Sequence, residues 1–313
     1  RDPGHDRVPL EVKAPYFPGT SMNALSGIPI IDAHHHFWDP VANYYPWLCD
    51  ADRPPHRYGD HAAICRPYLP VDYRRDTAEF QLAGSVYVEA EWNPNDPIGE
   101  MRYIETLRKD SGLPSVAVGQ ARLDQPDVNR TLEQLAACGF VRGIRHKPRA
   151  NASPRDAQPG GTTDSAWLSG YALLARHGLH FELQTPWWHL HEAQVLARDF
   201  PGTPIIINHA GMPSDRSVFG LASWRQAMRG IAQCPNVFVK ISGIGQPGGL
   251  WTVEANRPVV LDTIELFGAD RCMFASNFPV DGMHGSFDEL FTTYAEVVAG
   301  LDAGARDKLF AGN

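Results

Sequence analysis

Eight short apolar runs rich in β-branched residues recur along the chain, each followed by a stretch with helical spacing, and this alternation restricts the fold more than any other feature. The runs cover 28–37 (IPIIDAHHHF), 84–91 (GSVYVEAE), 115–123 (SVAVGQARL), 141–148 (VRGIRHKP), 180–186 (HFELQTP), 204–210 (PIIINHA), 237–243 (VFVKISG) and 272–279 (CMFASNFP). Between them, stretches such as 129–138 (NRTLEQLAAC), 166–177 (AWLSGYALLARH) and 258–267 (PVVLDTIELF) carry apolar residues at helical intervals. Strand and helix in strict alternation imply parallel strands with helical crossovers. Eight such units predict a single closed (β/α)8 TIM barrel, with an open doubly wound sheet as the competing arrangement. The ends of the runs favour the barrel. They carry His34 and His36, Glu89 and Glu91, Arg145 and His146, Gln184, His209, Lys240 and Ser242, and Asn277. A barrel gathers its site from the C-terminal ends of many strands because only there do the eight loops converge.

The barrel is expected over residues 22–313, with 1–21, polar and proline-containing, read as a leader or flexible arm. A hydrophobic fraction of 43% and a charged fraction of 20% belong to an ordinary globular protein, and a net charge of -8 supplies no basic stripe for nucleic acid. No apolar stretch is long enough for a membrane span. Five cysteines, an odd number without Cys-x-x-Cys spacing, argue against a disulfide framework and a thiolate zinc site, and fit a cytoplasmic protein. A small ring-shaped molecule is the expected partner, and a homo-oligomer stays open. Two long connections, 38–82 and 149–179, are expected to form lids or pocket walls.

His34 and His36 lie two apart on a strand, so both imidazoles face one side, the barrel interior, while His35 faces outward. Asp32 precedes them by two and is expected on their side. A pair of inward histidines can bind one metal ion or hold one substrate. The competing reading is a histidine-rich strand end that only packs and hydrogen-bonds. His209 closes the sixth run, and Gly211 and Pro213 turn the chain away immediately after it, which leaves the ring near the barrel mouth.

Four segments, Ile31-Asp32-Ala33-His34-His35-His36-Phe37-Trp38, Gly143-Ile144-Arg145-His146, Asn208-His209-Ala210-Gly211-Met212-Pro213 and Met273-Phe274-Ala275-Ser276-Asn277-Phe278-Pro279, occur in the order found in the lactonase branch of the amidohydrolase superfamily. The chain resembles that branch, which acts on sugar-acid lactones and on pyrone dicarboxylate. The resemblance implies that His34, His36 and His209 stand in the site with the residue at the end of the eighth strand. In the family that residue is usually an aspartate, which takes a proton from the attacking water. Here it is Asn277, and an amide cannot serve as a general base.

Three resolutions follow. Glu89, Glu91 or Asp281 supplies the missing carboxylate; a metal held by His34, His36 and His209 acidifies its bound water; or hydrolytic activity has been lost. A structural ion pair with Arg145 or Lys240 is the alternative role for the two glutamates, and a helix cap toward Phe287 is that for Asp281. The superfamily's binuclear site also uses a lysine or carboxylate on strand four and a histidine on strand five, where this chain offers Arg145, His146 and Gln184. One divalent ion, zinc or manganese, is therefore expected, with metal-independent hydrolysis left open.

Arg145 and His146 suit an anionic or polyhydroxylated ligand, with Gln184 beside them. Trp38, Tyr44, Tyr45, Trp47, Trp92, Trp187 and Trp188 flank the expected mouth, and Trp38 and Trp187 are the stacking candidates for a ring. The expected activity is opening of a lactone by an activated water. A decarboxylase or lactone isomerase on the same scaffold, and a ligand-binding barrel without turnover, are the alternatives.

Overall fold

All eight runs form strands, paired in chain order as one parallel sheet: β1 (Ile30–His35), β2 (Leu82–Val88), β3 (Val116–Gln120), β4 (Val141–Arg145), β5 (His180–Leu183), β6 (Ile205–Ile207), β7 (Val237–Ile241) and β8 (Cys272–Phe274). The computed structural model describes residues 25, 27–53, 56–156 and 158–313, so the expected leader or arm over 1–21 lies outside the described residues. The sheet closes where β1 meets the chain leaving β8. His36 N donates to Phe278 O and Asn277 N to His34 O, each at 2.7 Å. The fold is the (β/α)8 barrel, and the open-sheet alternative falls.

The outer layer is α1 (Pro70–Asp76), α2 (Gly99–Ser111), α3 (Val128–Ala137), α4 (Ser165–Tyr171), α5 (Leu190–Asp199), α6 (Val218–Ile231), α7 (Val253–Phe267) and α8 (Phe287–Val297). In α3, Val128, Leu132 and Leu135 fall on one face and are buried. Leu135 comes so close to β3 that a Cβ on Gly119 would lie 2.7 Å from its Cδ2. Two helix expectations shift. The stretch 166–177 divides into α4 and a 3-10 turn, Leu174–His177. The last stretch begins at Val253, because Thr252 caps it by accepting from Ala255 N, and Pro258 lies inside.

Asp32 departs from the expected alternation. The pairing of β1 with β2 slips in register between Asp32 and His35. The buried Asp32 carboxylate accepts from Ser276 N (2.8 Å), Ser276 Oγ (2.6 Å) and Tyr73 OH (2.8 Å), and thus clasps β1 to the segment after β8 and to α1. His35 stacks on the same Tyr73 ring, centroids 4.5 Å apart. Across β6, Lys240 pairs with Glu182, and Asn208 donates to the second oxygen of that carboxylate. Lys240 is thus the partner of Glu182 and not of Glu89 or Glu91. Among the described residues no helix is long and apolar enough to cross a membrane, and all five cysteines are free.

Candidate active site

The strand ends do not run straight into their loops. Glu91 (φ 56°), His209 (55°), Met212 (58°) and Asn277 (54°) adopt the left-handed conformation that side chains normally avoid, and all four line one cavity of about 250 Å³ at the barrel mouth. Each such residue costs on the order of 1 kcal/mol, and positions of this kind concentrate at ligand sites. His36, Arg145 and Gln184 complete the part of the lining that comes from strand ends, with Lys147 beyond β4. Trp47, His56, Arg57 and His61 supply a wall from the connection between β1 and α1.

His36 Nδ1 lies 2.7 Å from Val88 O. A carbonyl only accepts, so Nδ1 carries the proton and the Nε2 of a neutral ring is a bare lone pair. That Nε2 stands 3.3 Å from His34 Nε2, and His34 Nδ1 is buried without a partner among the described residues. The His209 ring is 4.9 Å from that of His34, centroid to centroid, with its Nδ1 3.1 Å from Ser242 Oγ. Burial, followed by the charge of the neighbouring His209 and His36, drives His34 well below the ordinary histidine value. Burial and Arg145 do the same to His36, and burial, Arg57 and Arg145 to His209. All three rings are neutral at pH 7.

Neutral imidazoles are what a divalent cation requires, and the pair meets a second condition. Two nitrogens at zinc's usual distance of about 2.0–2.1 Å, on a tetrahedral edge, stand about 3.3 Å apart. The separation of His34 Nε2 and His36 Nε2 fits that edge. Among the described residues no set of three His, Cys, Asp or Glu side chains converges closely enough to hold an ion, so the fit belongs to the pair.

The carboxylates take separate roles. Glu89 is buried against Arg145, whose Nε donates to its Oε1 at 2.5 Å, and its Oε2 accepts from Glu91 N at 2.7 Å. Glu91 pairs with Lys147 at the mouth. Asp281 is fully buried behind Asn277 and accepts from Asn277 Nδ2 (2.9 Å), Tyr58 OH (3.1 Å) and Gly243 N (2.7 Å). Burial pushes its carboxyl up, and Arg57 with the Asn277 and Gly243 donors pulls it partly back. It does not cap α8, whose cap is Ser286.

Residues 31–313 match the family described as Amidohydrolase. The chain belongs to that family. The protein y4mH of Sinorhizobium fredii is 38% identical to it over 292 residues, covering 92% of this chain and 98% of its own. An L-fucono-1,5-lactonase of Burkholderia multivorans is 27% identical over 303 residues, covering 90% and 93%. The crystal structure of a zinc-bound amidohydrolase from Burkholderia multivorans shares the fold with a TM-score of 0.73 at 24% identity, covering 90% of this chain and 96% of that one.

In this amidohydrolase the structure brings His36, His209, Asn277, Arg145 and Gln184 to one cavity, with His34, Glu89 and Asp281 directly behind. It does not bring His146, Trp38 or Trp187 there. His146 faces α4 and accepts at Nδ1 from Leu123 N (3.0 Å) and Trp167 Nε1 (3.1 Å). Trp38 is buried, its Nε1 donating to Ile64 O and Arg66 O, and Trp187 packs edge-on against Trp188. Of the aromatics flanking the mouth only Trp47 lines the cavity. The connection 149–179 borders another cleft, where Glu192 is saturated by Gly160 N, Thr162 Oγ1 and His189 Nδ1. Sequence reasoning passed over Lys147, which shares Arg145's face by strand alternation, and over His56, Arg57 and His61, for which no period exists.

Proposed function

We propose that this amidohydrolase opens a lactone by addition of water. The observation that carries the reading is the cluster of three neutral, buried histidines at the mouth of a cavity large enough for a single small ring. The L-fucono-1,5-lactonase among its relatives supports the substrate class.

His209 is the base. Its Nδ1 is engaged by Ser242, which leaves Nε2 to accept a proton from water, and a neutral ring in this setting is available at pH 7. Asn277 positions that water: with Nδ2 committed to Asp281, its Oδ1 remains as an acceptor. The water oxygen bonds to the lactone carbonyl carbon as its proton passes to His209. The tetrahedral adduct then collapses with loss of the ring oxygen, which takes the proton from the His209 imidazolium, so the sum is lactone plus water to hydroxy acid. Arg145 and Gln184 hold the ring. His34 and His36 would hold a divalent ion, which when bound supplies Lewis acidity toward the carbonyl or the water. Asp281 acts through Asn277 as a positioning residue.

The test is an acid-release assay over aldonolactones, γ-lactones and 2-pyrone carboxylates, with and without added zinc or manganese, alongside metal analysis of the purified protein. Opening of at least one lactone to its hydroxy acid without release of carbon dioxide is the expected result. Release of carbon dioxide, or ligand binding with no product from any lactone, overturns it.

A further inference from the structure

Three cations line the cavity, Arg57, Arg145 and Lys147, and two of them are already matched: Arg145 by Glu89 and Lys147 by Glu91. Among the described residues no hydrogen-bond acceptor or carboxylate pairs with Arg57. Its guanidinium lies over the Tyr58 ring, 4.5 Å from the centroid, a contact that holds the plane while leaving the N–H groups at its edge available. The nearby Asp281 has its oxygens engaged by Tyr58, Asn277 and Gly243. The guanidinium is also close to the reacting groups. A Cβ built on Gly243 would fall 2.5 Å from Arg57 Nη2 and 2.3 Å from His209 Nδ1, so the arginine and the histidine crowd the same point above the end of β7.

A guanidinium at the wall of a small cavity, without a hydrogen-bonded carboxylate among the described residues and acting on the buried Asp281 only through its charge, is a site for an anion, and its planar fork suits a carboxylate. We propose that Arg57 is the specificity-determining residue of this pocket and that the substrate is a lactone bearing a carboxylate on its ring, the carboxylate held by Arg57 while the ring carbonyl faces the histidines. This rests on the lactone-hydrolase reading for the reaction, but the anion site itself is measurable without turnover.

The first measurement is calorimetric titration of the full chain with 2-furoate and with the neutral, isosteric 2-furamide. The wild type is expected to bind the carboxylate at least about tenfold more tightly, and Arg57→Met to bind the two alike. Equal or no binding of both by the wild type, or an undiminished preference in Arg57→Met, overturns the assignment. The wild-type comparison stands even if the variant does not fold. The second measurement is kinetic. Across 5-oxotetrahydrofuran-2-carboxylate and γ-butyrolactone, Arg57→Met is expected to lower the ratio of kcat/KM for the carboxylated lactone to that for the neutral one by about tenfold or more, chiefly through KM. An equal fall in kcat on both lactones would make Arg57 a donor to the oxyanion and overturn its role in selectivity. A protein that shows the furoate preference but opens no lactone contradicts the proposed reaction alone.

Discussion

The floor of the cavity and its wall are held in different ways. On the floor, strand ends carry the side chains and the sheet fixes their partners: His36 on Val88 O, Arg145 on Glu89, His209 on Ser242, Asn277 on Asp281. The wall is part of a long connection and is held mainly by stacked rings. Trp47 lies 6.1 Å from His56 and 5.7 Å from His61, centroid to centroid, and is tethered by Nε1 to Ala90 O at 2.8 Å. A side chain locked by the sheet keeps catalytic geometry within tenths of an ångström, whereas a stacked loop can be respaced at small cost. The proposed reaction therefore assigns chemistry to the floor and selectivity to the wall.

The largest expected effect breaks or upholds that division directly. His209→Ala should lower kcat/KM for lactone opening by about 10³-fold, near 4 kcal/mol of transition-state stabilisation, with little change in the unfolding midpoint. A loss smaller than about tenfold would move the chemistry off the floor. The next concerns His35, which shares the floor strand but faces away from the cavity. It is fully buried between Phe37 and Tyr73, neither ring nitrogen has a hydrogen-bond partner among the described residues, and burial holds its pKa down to about 3. The unfolded chain takes up this proton below pH 6.5 and the folded chain only near 3, so stability falls as pH is lowered through that window. His35→Phe should remove this acid sensitivity, a gain of about 2–3 kcal/mol at pH 4.5 over that at pH 7 in urea unfolding, with kcat unchanged. Parallel stability curves for the two proteins would contradict it. The smallest effect belongs to the wall: Trp47→Ala should raise KM severalfold, about 1 kcal/mol, and leave kcat within about twofold. A kcat effect as large as that of His209→Ala would erase the distinction.

The same contrast explains what the sequence disclosed. Strand order, and the placement of His36, Arg145, Gln184, His209 and Asn277 at the mouth, followed from apolar runs and from the rule that barrel sites gather at C-terminal strand ends. Period two also accounts for His146, which alternates away from Arg145 toward Trp167, and for Lys147, which returns to its side. The pattern fails where φ turns positive, because at Glu91, His209 and Asn277 the side-chain direction is set by the local backbone and not by the pleat. Arg57 and its neighbours were hidden for a different reason. A long connection takes its path from what it packs against, and rings such as Trp38 and Trp47, alike in sequence, end up one in the core and one at the cavity.

The Asp32–Ser276 clasp has a temporal meaning. Its partners are 244 residues apart, so the contact that completes the barrel is among the most distant in the chain. During synthesis, His34 and His36 emerge before the other seven strands and stay without their seam until the eighth strand has left the ribosome. Closing so long a loop must precede the bonds that reward it, which makes ring closure a late and slow event. A nascent chain stalled anywhere before Cys272 holds the histidine pair in an unclosed sheet, and the cavity takes shape only once the eighth strand is in place.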